Sequence, residues 1–390
     1  MQRMPSTVDL VYFNAGGGHR AAAQALQAAI AEQQRPWRVR LVNLFEVLDA
    51  QQRFHRWFGI APEDLYNRRL ASGRTFGMRQ ELKLLQAAIR LAHRPMRRTL
   101  QAHWQRSAPD LVVSLVPNFN RVLYESVTAA CPDVPVVTVL TDMADNPPHF
   151  WIEPGQHQHI VCGTPKALEQ ARAMGCPPER LSLVGGMVLR TDFRRDGPVD
   201  VAAGRAALGL DPSRPTGLVM FGGPGAMQML ELARAMSEVQ LILLCGHHEG
   251  LLQALRGLQR AAPHAAIPFT REVPGLMRLA DFFVGKPGPG CLSEAVQMGL
   301  PVVTFDNAWT IPQERYNAQW VRDNGLGVVV DSWRRLPDGV ATLMDSLDAY
   351  RERVRRIDNR AVYEVVEVLA GQLNTQRCAA SSRTMRVAAA

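Results

Sequence analysis

Gly285-Lys286-Pro287-Gly288-Pro289-Gly290-Cys291-Leu292-Ser293-Glu294-Ala295 is a glycine-rich turn between an apolar strand (Asp281 to Val284) and a helix, with a carboxylate one turn into that helix. Glycines let backbone N–H groups approach phosphate oxygens, and a helix start supplies partial positive charge. Glu294 is placed to accept hydrogen bonds from two ribose hydroxyls. The arrangement suits a nucleotide diphosphate; its bland alternative is a tight βα connection, because short Gly/Pro loops of this kind are common. On both readings the stretch is a strand–turn–helix unit of a parallel α/β sheet.

Outward from that turn the same alternation repeats. The second half of the chain predicts strands at Gly217 to Phe221, Val239 to Cys245, Ala265 to Phe269, Asp281 to Val284, Val302 to Phe305 and Gly327 to Val330, with helices in each interval. A last helix is expected from Asp338 to Leu373. In the first half the strands are Thr7 to Phe13, Arg38 to Leu44, Asp110 to Leu115, Val134 to Leu140 and His159 to Cys162; helices are read at His19 to Gln33, Asn120 to Ala130 and Pro165 to Met174. The fold class is therefore α/β, with two Rossmann-like, doubly wound domains whose ligand loops face a cleft. The expected division is an N-terminal domain over 1–190, a linker over 191–215 rich in Asp, Gly, Pro and Arg, a C-terminal domain over 216–373, and a mobile tail over 374–390 without an apolar face.

The 390 residues exceed what one core usually serves, and 47% hydrophobic with 21% charged residues describes an ordinary globular protein. Six cysteines are scattered without a CxxC pair or zinc-like spacing, so they read as reduced thiols in a cytoplasmic setting. The first six residues carry no apolar leader ahead of the first strand, which predicts no export. The longest apolar runs fall far short of the roughly 20 residues of a spanning helix. The net charge of +8 is concentrated between Gln51 and Arg106, where twelve Arg or Lys meet three acids. That stretch interleaves Arg53, Arg56, Arg94, Arg97 and Arg98 with Trp57, Phe58 and many aliphatic side chains. It reads either as a surface that docks on anionic membrane or as a helical subdomain with a solvated basic face.

Several strand ends carry polar groups. Asn14-Ala15-Gly16-Gly17-Gly18-His19-Arg20 follows the first strand. Gly16, Gly18 and Ala21 formally meet a dinucleotide fingerprint, but the second strand closes on Asn43 where a nicotinamide site needs an acid. Gly17 and Gly18 instead hold polar or anionic groups at a helix start and present His19, a candidate general base or a simple helix cap. Asp142, just past another strand end, is a candidate to orient His19, to take the acceptor's proton, or to cap its loop. Beyond it Pro147 and Pro148 stiffen the loop, His149 is a weaker candidate, and Trp151 packs. Gly222 and Gly223 form a second glycine turn, Phe269 ends a strand where a base can rest or a core side chain can sit, and Gln313, Glu314 and Asn317 open a helix with groups that bind sugar hydroxyls or water.

Taken together, Gly16-Gly17-Gly18-His19-Arg20-Ala21, Tyr66-Asn67, Thr141-Asp142, Gly288-Pro289-Gly290 with Glu294-Ala295, Gln313-Glu314 with Asn317, and Asn324-Gly325 resemble the monogalactosyldiacylglycerol synthase and processive diacylglycerol glucosyltransferase family. That family is related to the peptidoglycan N-acetylglucosaminyltransferase that makes lipid II. The resemblance implies a GT-B fold, inverting transfer from a UDP-sugar co-substrate to a lipid hydroxyl, no metal or other cofactor, and peripheral attachment to the inner face of the cell membrane. Carried over by position, Glu294 holds the ribose, Ser293 beside it binds the donor, Phe269 sits by the uracil, and Gly288, Gly290, Gly222 and Gly223 line the diphosphate. Gln313 and Glu314 contact the sugar, with Asn317 beside them; His19 and Asp142 serve the acceptor. The chain departs from the family in its longer loop after Asp142 and in Gly185-Gly186-Met187-Val188, where a Gly-x-Pro turn is usual. The competing functions are a sugar-nucleotide epimerase on the same architecture, which leaves the basic apolar region unexplained, and nucleic-acid binding, for which no reader motif is present.

Overall fold

The computed structural model describes residues 5–14, 17–49, 78–221, 226–308 and 310–388. They form two compact units, one made of the described residues up to 191 together with those from 360, the other of residues 192–359.

In the first unit β1 (Ser6–Tyr12), β2 (Trp37–Asn43), β3 (Leu111–Ser114), β4 (Val136–Val139), β5 (His159–Cys162) and β6 (Leu181–Leu183) make one sheet in the order β2-β1-β3-β4-β5-β6. All neighbouring pairs are parallel. The helices of this unit are α1 (Gly18–Glu32), α2 (Leu44–Leu48), α3 (Met78–Leu91), α4 (His93–Ser107), α5 (Asn120–Ala130) and α6 (Pro165–Ala173).

Every residue of β3 is buried, as expected of a parallel strand covered on both faces. Val8, Leu10 and Val113 point to one layer, where they pack with Leu26 and Ile30 of α1. Val11 and Val112 point to the other, against Leu100 and Trp104 of α4 and Leu123 of α5. One charge sits inside this sheet: Asp9 of β1 is fully buried and receives Arg40 Nε at 2.5 Å and Nη2 at 2.8 Å. Such bidentate pairing is what makes a buried carboxylate tolerable.

The second unit holds β7 (Thr216–Met220), β8 (Gln240–Gly246), β9 (His264–Pro268), β10 (Phe282–Gly285), β11 (Val302–Phe305) and β12 (Gly327–Val330), in the order β12-β11-β10-β7-β8-β9 and again parallel throughout. Its helices are α7 (Val201–Ala207), α8 (Ala226–Ala235), α9 (Glu249–Arg256), α10 (Val273–Arg278), α11 (Pro289–Gln297), α12 (Arg315–Asp323), α13 (Leu336–Met344) and α14 (Leu347–Arg355). The segment entering this sheet is fastened by Arg205 of α7. Its buried guanidinium donates to the carbonyls of Leu279 at 2.8 Å and Arg214 at 3.0 Å, and to Asp281 Oδ2 at 2.6 Å.

The single helix expected from Asp338 to Leu373 is three. α13 ends at Met344, Ser346 takes a non-helical backbone (φ −136°, ψ 28°) and α14 follows. Beyond α14, Arg195 bonds the carbonyl of Arg355 at 3.2 Å and that of Ile357, while Asn359 N–H donates to Gln297 Oε1 at 2.8 Å. These bonds give the freed backbone groups partners and hold the chain out of helix. α15 (Ala361–Ala388) then completes the first unit, with Val362, Val365 and Leu369 joining the α1 layer.

Candidate active site

A doubly wound sheet leaves a crevice at the carboxyl ends of its strands where the strand order reverses. In the first unit that point lies between β1 and β3, in the second between β7 and β10. The candidate residues gather at these two places, and each is described within its own unit.

After β1 the chain turns through Gly17, whose φ of +78° is the left-handed conformation that glycine adopts without strain, and α1 begins. His19, one residue into α1, therefore sits at the carboxyl end of β1. Its Nδ1 lies 2.9 Å from Thr141 Oγ1, just past β4. Its ring centroid is 4.6 Å from that of Phe13 and 5.9 Å from that of Trp151. Burial among these groups pushes the imidazole pKa down to about 4, opposed by a hydrogen bond with the Leu115 main chain just past β3. At neutral pH the ring is uncharged.

The side chain hydrogen-bonded to His19 Nδ1 is thus Thr141. Asp142 is buried one residue further on, where its Oδ2 accepts the Trp151 indole N–H at 2.8 Å. Trp151, fully buried, touches both candidates, more than the packing role read from sequence. The His149 side chain is exposed on a backbone with φ +67°.

α3 borders this region. Leu82 packs against the cluster that contains Phe150 and Trp151, and Gln86 Nε2 donates to Asn118 Oδ1 at 3.1 Å. The opposite side of α3 exposes Leu84 (71%), Leu85 (44%) and Leu91 (88%). Arg94, Arg97 and Arg98 on α4 are exposed as well. The other basic and aromatic candidates, Arg53, Arg56, Trp57 and Phe58, and the Tyr66-Asn67 pair lie outside the described residues, as do Gly16, Gly222 and Gly223.

In the second unit β10 runs through Lys286, Pro287 and Gly288 into α11. Gly288 is the N-cap, and a side chain built at Gly290 would meet open space. Ser293 is buried and Glu294 half-buried in this helix. The segment after β11 closes over the turn: Lys286 Nζ lies 3.5 Å from Glu314 Oε1, and Asn317 Nδ2 donates to the Pro287 carbonyl at 2.7 Å. Glu314 raises the Lys286 pKa and keeps the ammonium charged. Desolvation pushes the Cys291 thiol up to about 12, so it stays protonated, 3.3 Å from the Gly288 carbonyl. Gln313 and Asn317 are buried, yet Gln313 Oε1 and Asn317 Oδ1 meet no hydrogen-bond partner among the described residues.

Sequence reasoning passed over Lys286, although a cation inside a glycine turn was signal enough. It also missed His247. A bulge between Leu244 and Gly246, with Gly246 at φ +57°, turns His247 over Phe269. The two rings stack with centroids 4.0 Å apart and planes 16° apart. Phe269 is 54% exposed, so it belongs to the surface at this end of the sheet and not to the core. His19, Thr141 and Asp142 are brought together, as are Gly288, Gln313, Glu314 and Asn317.

Comparison with known proteins agrees with this layout. Residues 225–367 match the glycosyltransferase family 28 C-terminal domain. A probable chloroplastic monogalactosyldiacylglycerol synthase 2 of rice (Oryza sativa subsp. japonica) is 30% identical over 240 residues, covering 57% of this chain and 49% of that protein, so the chain spans about half the length of this relative. The processive diacylglycerol beta-glucosyltransferase of Bacillus pumilus is 23% identical over 316 residues, covering 78% of this chain and 75% of that protein. Among solved structures, MurG of Acinetobacter baumannii superposes with a TM-score of 0.60 at 14% identity, covering 94% of this chain and all of that one. Anabaena HepE, solved in complex with UDP-glucose, gives 0.53 at 15% identity over 94% of this chain and 99% of that one. With two doubly wound parallel sheets and these relatives, the chain has a GT-B fold, carries a match to the glycosyltransferase family 28 C-terminal domain, and is similar to the monogalactosyldiacylglycerol synthases and processive diacylglycerol glucosyltransferases.

Proposed function

We propose that this protein is an inverting glycosyltransferase that moves a hexose from a UDP-sugar to a hydroxyl of a membrane lipid. The observation that carries the reading is the pair of buried amide oxygens on Gln313 and Asn317, left open beside the Lys286–Glu314 ion pair. A buried acceptor without a donor costs about 1–3 kcal/mol, and sugar hydroxyls are the donors such a site lacks. Lys286 and the main-chain N–H groups at the start of α11 offer positive charge to a diphosphate. HepE, which shares the fold, was crystallised with UDP-glucose, and the curated relatives act on diacylglycerol by name.

In the reaction the lipid oxygen attacks the anomeric carbon from the side opposite the diphosphate. The C1–O bond to phosphate breaks, UDP leaves with both electrons, and the hydroxyl proton passes to His19 or to Asp142. His19, neutral at pH 7, is in the protonation state to accept it. Charge on the leaving group is met by Lys286 and the α11 start, so the proposal predicts undiminished transfer in the presence of a divalent-metal chelator. Glu294→Ala tests the donor half: UDP affinity by calorimetry is expected to fall about 10- to 100-fold, the worth of one or two hydrogen bonds to a charged group. An unchanged affinity would remove the donor assignment. Free UDP released only when lipid is present separates a transferase from an epimerase.

Among the described residues no helix is long and apolar enough to cross a membrane. The exposed leucines of α3 and arginines of α4 support attachment to the surface instead, with apolar side chains entering the headgroup zone and guanidinium groups meeting lipid phosphates. An inner, cytoplasmic membrane face rich in anionic lipid fits this polarity. Flotation with phosphatidylglycerol vesicles at low salt is expected to carry the protein upward, and Leu84→Ser with Leu91→Ser to leave it behind. Equal flotation of both would count against this face as the docking surface.

A further inference from the structure

The loop that carries Asp142 is wound around a second carboxylate. Asp145 is completely buried, and both its oxygens accept main-chain N–H groups. Oδ1 accepts the N–H of Trp151 at 2.6 Å, and Oδ2 accepts the N–H of His149 at 3.0 Å. Its own backbone is anchored to α6 by a reciprocal amide pair, with its N–H donating to Gln170 Oε1 at 2.9 Å and its carbonyl accepting Gln170 Nε2 at 3.0 Å. The Trp151 carbonyl is taken from the far side by Asn120 Nδ2 at 2.8 Å. His149 takes a left-handed conformation, uncommon for a residue with a Cβ, and its N–H is held by the bond to Asp145.

The chain of contacts ends at the acceptor chemistry. Trp151 is fixed at both its main-chain N–H and its carbonyl, and its indole Nε1–H points at Asp142 Oδ2, 2.8 Å away. The same indole stands 5.9 Å from the His19 ring. Burial pushes the Asp145 carboxyl pKa up, while the N–H groups of Trp151, His149 and Ile152 pull in the opposite direction.

We propose that Asp145 is a positioning residue for the acceptor site: by gripping the main chain of His149 and Trp151 it aims the indole that holds Asp142 beside His19. The inference rests on the proposed transferase function and adds to it a residue that never meets substrate.

The test uses the full chain, with UDP-glucose and UDP-galactose as donors and dioleoylglycerol in phosphatidylcholine–phosphatidylglycerol vesicles as acceptor. Asp145→Asn, which keeps the shape but halves the acceptor capacity, and Trp151→Phe, which deletes the indole donor together with its pyrrole ring, are each expected to lower kcat about 10- to 100-fold, the usual cost of losing an outer partner of a functional side chain. UDP affinity by calorimetry should stay unchanged in both. Because the two residues act in series, the double variant should lose no more kcat than Trp151→Phe alone. Additive losses, or full kcat in Trp151→Phe, overturn the proposal, the second even if Asp145→Asn does not fold.

A readout independent of turnover is the Trp151 indole N–H in the 15N NMR spectrum, identified by its loss in Trp151→Phe. It should resist deuterium exchange in the wild type and exchange about tenfold faster or more in Asp145→Asn, since a released loop opens more often. Equal rates would reject the positioning role. Failure of the wild type to transfer either sugar would instead reject the transferase reading, with the indole measurement still deciding what Asp145 does.

Discussion

The two switch-point sites are finished to different degrees. In the first unit Thr141 hydrogen-bonds His19, Trp151 hydrogen-bonds Asp142, the Trp151 ring lies tilted near that of His19, and burial keeps the imidazole uncharged. In the second, Lys286 and Glu314 are paired but two neighbouring amide oxygens are buried with nothing donated to them among the described residues. On the transferase function proposed above, the difference separates two demands. Groups that handle a proton must be aimed before the substrate comes, whereas groups that grip a polyhydroxylated donor gain most when their last bonds are left for the ligand to make.

The strongest way to break that contrast is at His19. His19→Ala is expected to cut kcat by about 10²- to 10⁴-fold, the range for losing a general base, while UDP affinity by calorimetry moves by less than about twofold. Full turnover in this variant would mean that the first-unit cluster serves only the fold. Stability against pH sharpens the same point. The His19 pKa is lowered to about 4 in the folded chain from an unfolded value of 6.5, so the unfolded chain binds more protons between these limits. Its contribution is full above pH 6.5 and is lost as pH falls toward 4, by up to about 3 kcal/mol. Urea midpoints of the wild type should drop over that window and those of His19→Asn should drop less; parallel curves would show that the ring is not desolvated. The smallest effect is expected at Gln313. Gln313→Leu removes an unpaired buried acceptor, so thermal unfolding without ligand should shift upward by the equivalent of about 1 kcal/mol, while UDP-sugar binds about tenfold more weakly and UDP alone does not. A destabilised variant would show the amide oxygen to be satisfied after all, and the contrast would vanish.

The α/β class and the position of nearly every strand were legible because parallel strands buried on both faces read as apolar runs, Leu111-Val112-Val113 being the plainest. The turn through Gly288 and the place of His19 at a helix start were legible because strand–turn–helix punctuation is local in sequence. What was not legible is non-local. The periodicity from Asp338 to Leu373 runs on through two breaks, since the guanidinium that captures the Arg355 and Ile357 carbonyls comes from Arg195, some 160 residues away. Asp145 carries no local pattern; its partners become visible only once the loop closes on itself. For His247 there was a hint, a glycine followed by a ring at a strand end, but the stack on Phe269 depends on the pairing of β8 with β9.

The last helix has a consequence for how the molecule is made. Val362, Val365, Val366, Leu369 and Leu373 of α15 line the same apolar layer as Ala22, Leu26 and Ile30 of α1. A ribosome that has emitted the first 191 residues has therefore delivered a half-roofed sheet, with aliphatic groups of α1 and β1 open to solvent until more than 160 further residues have followed. Residues 192 to 359 of the second unit are all made before α15 appears, so the earlier half keeps that apolar layer uncovered until its last helix arrives.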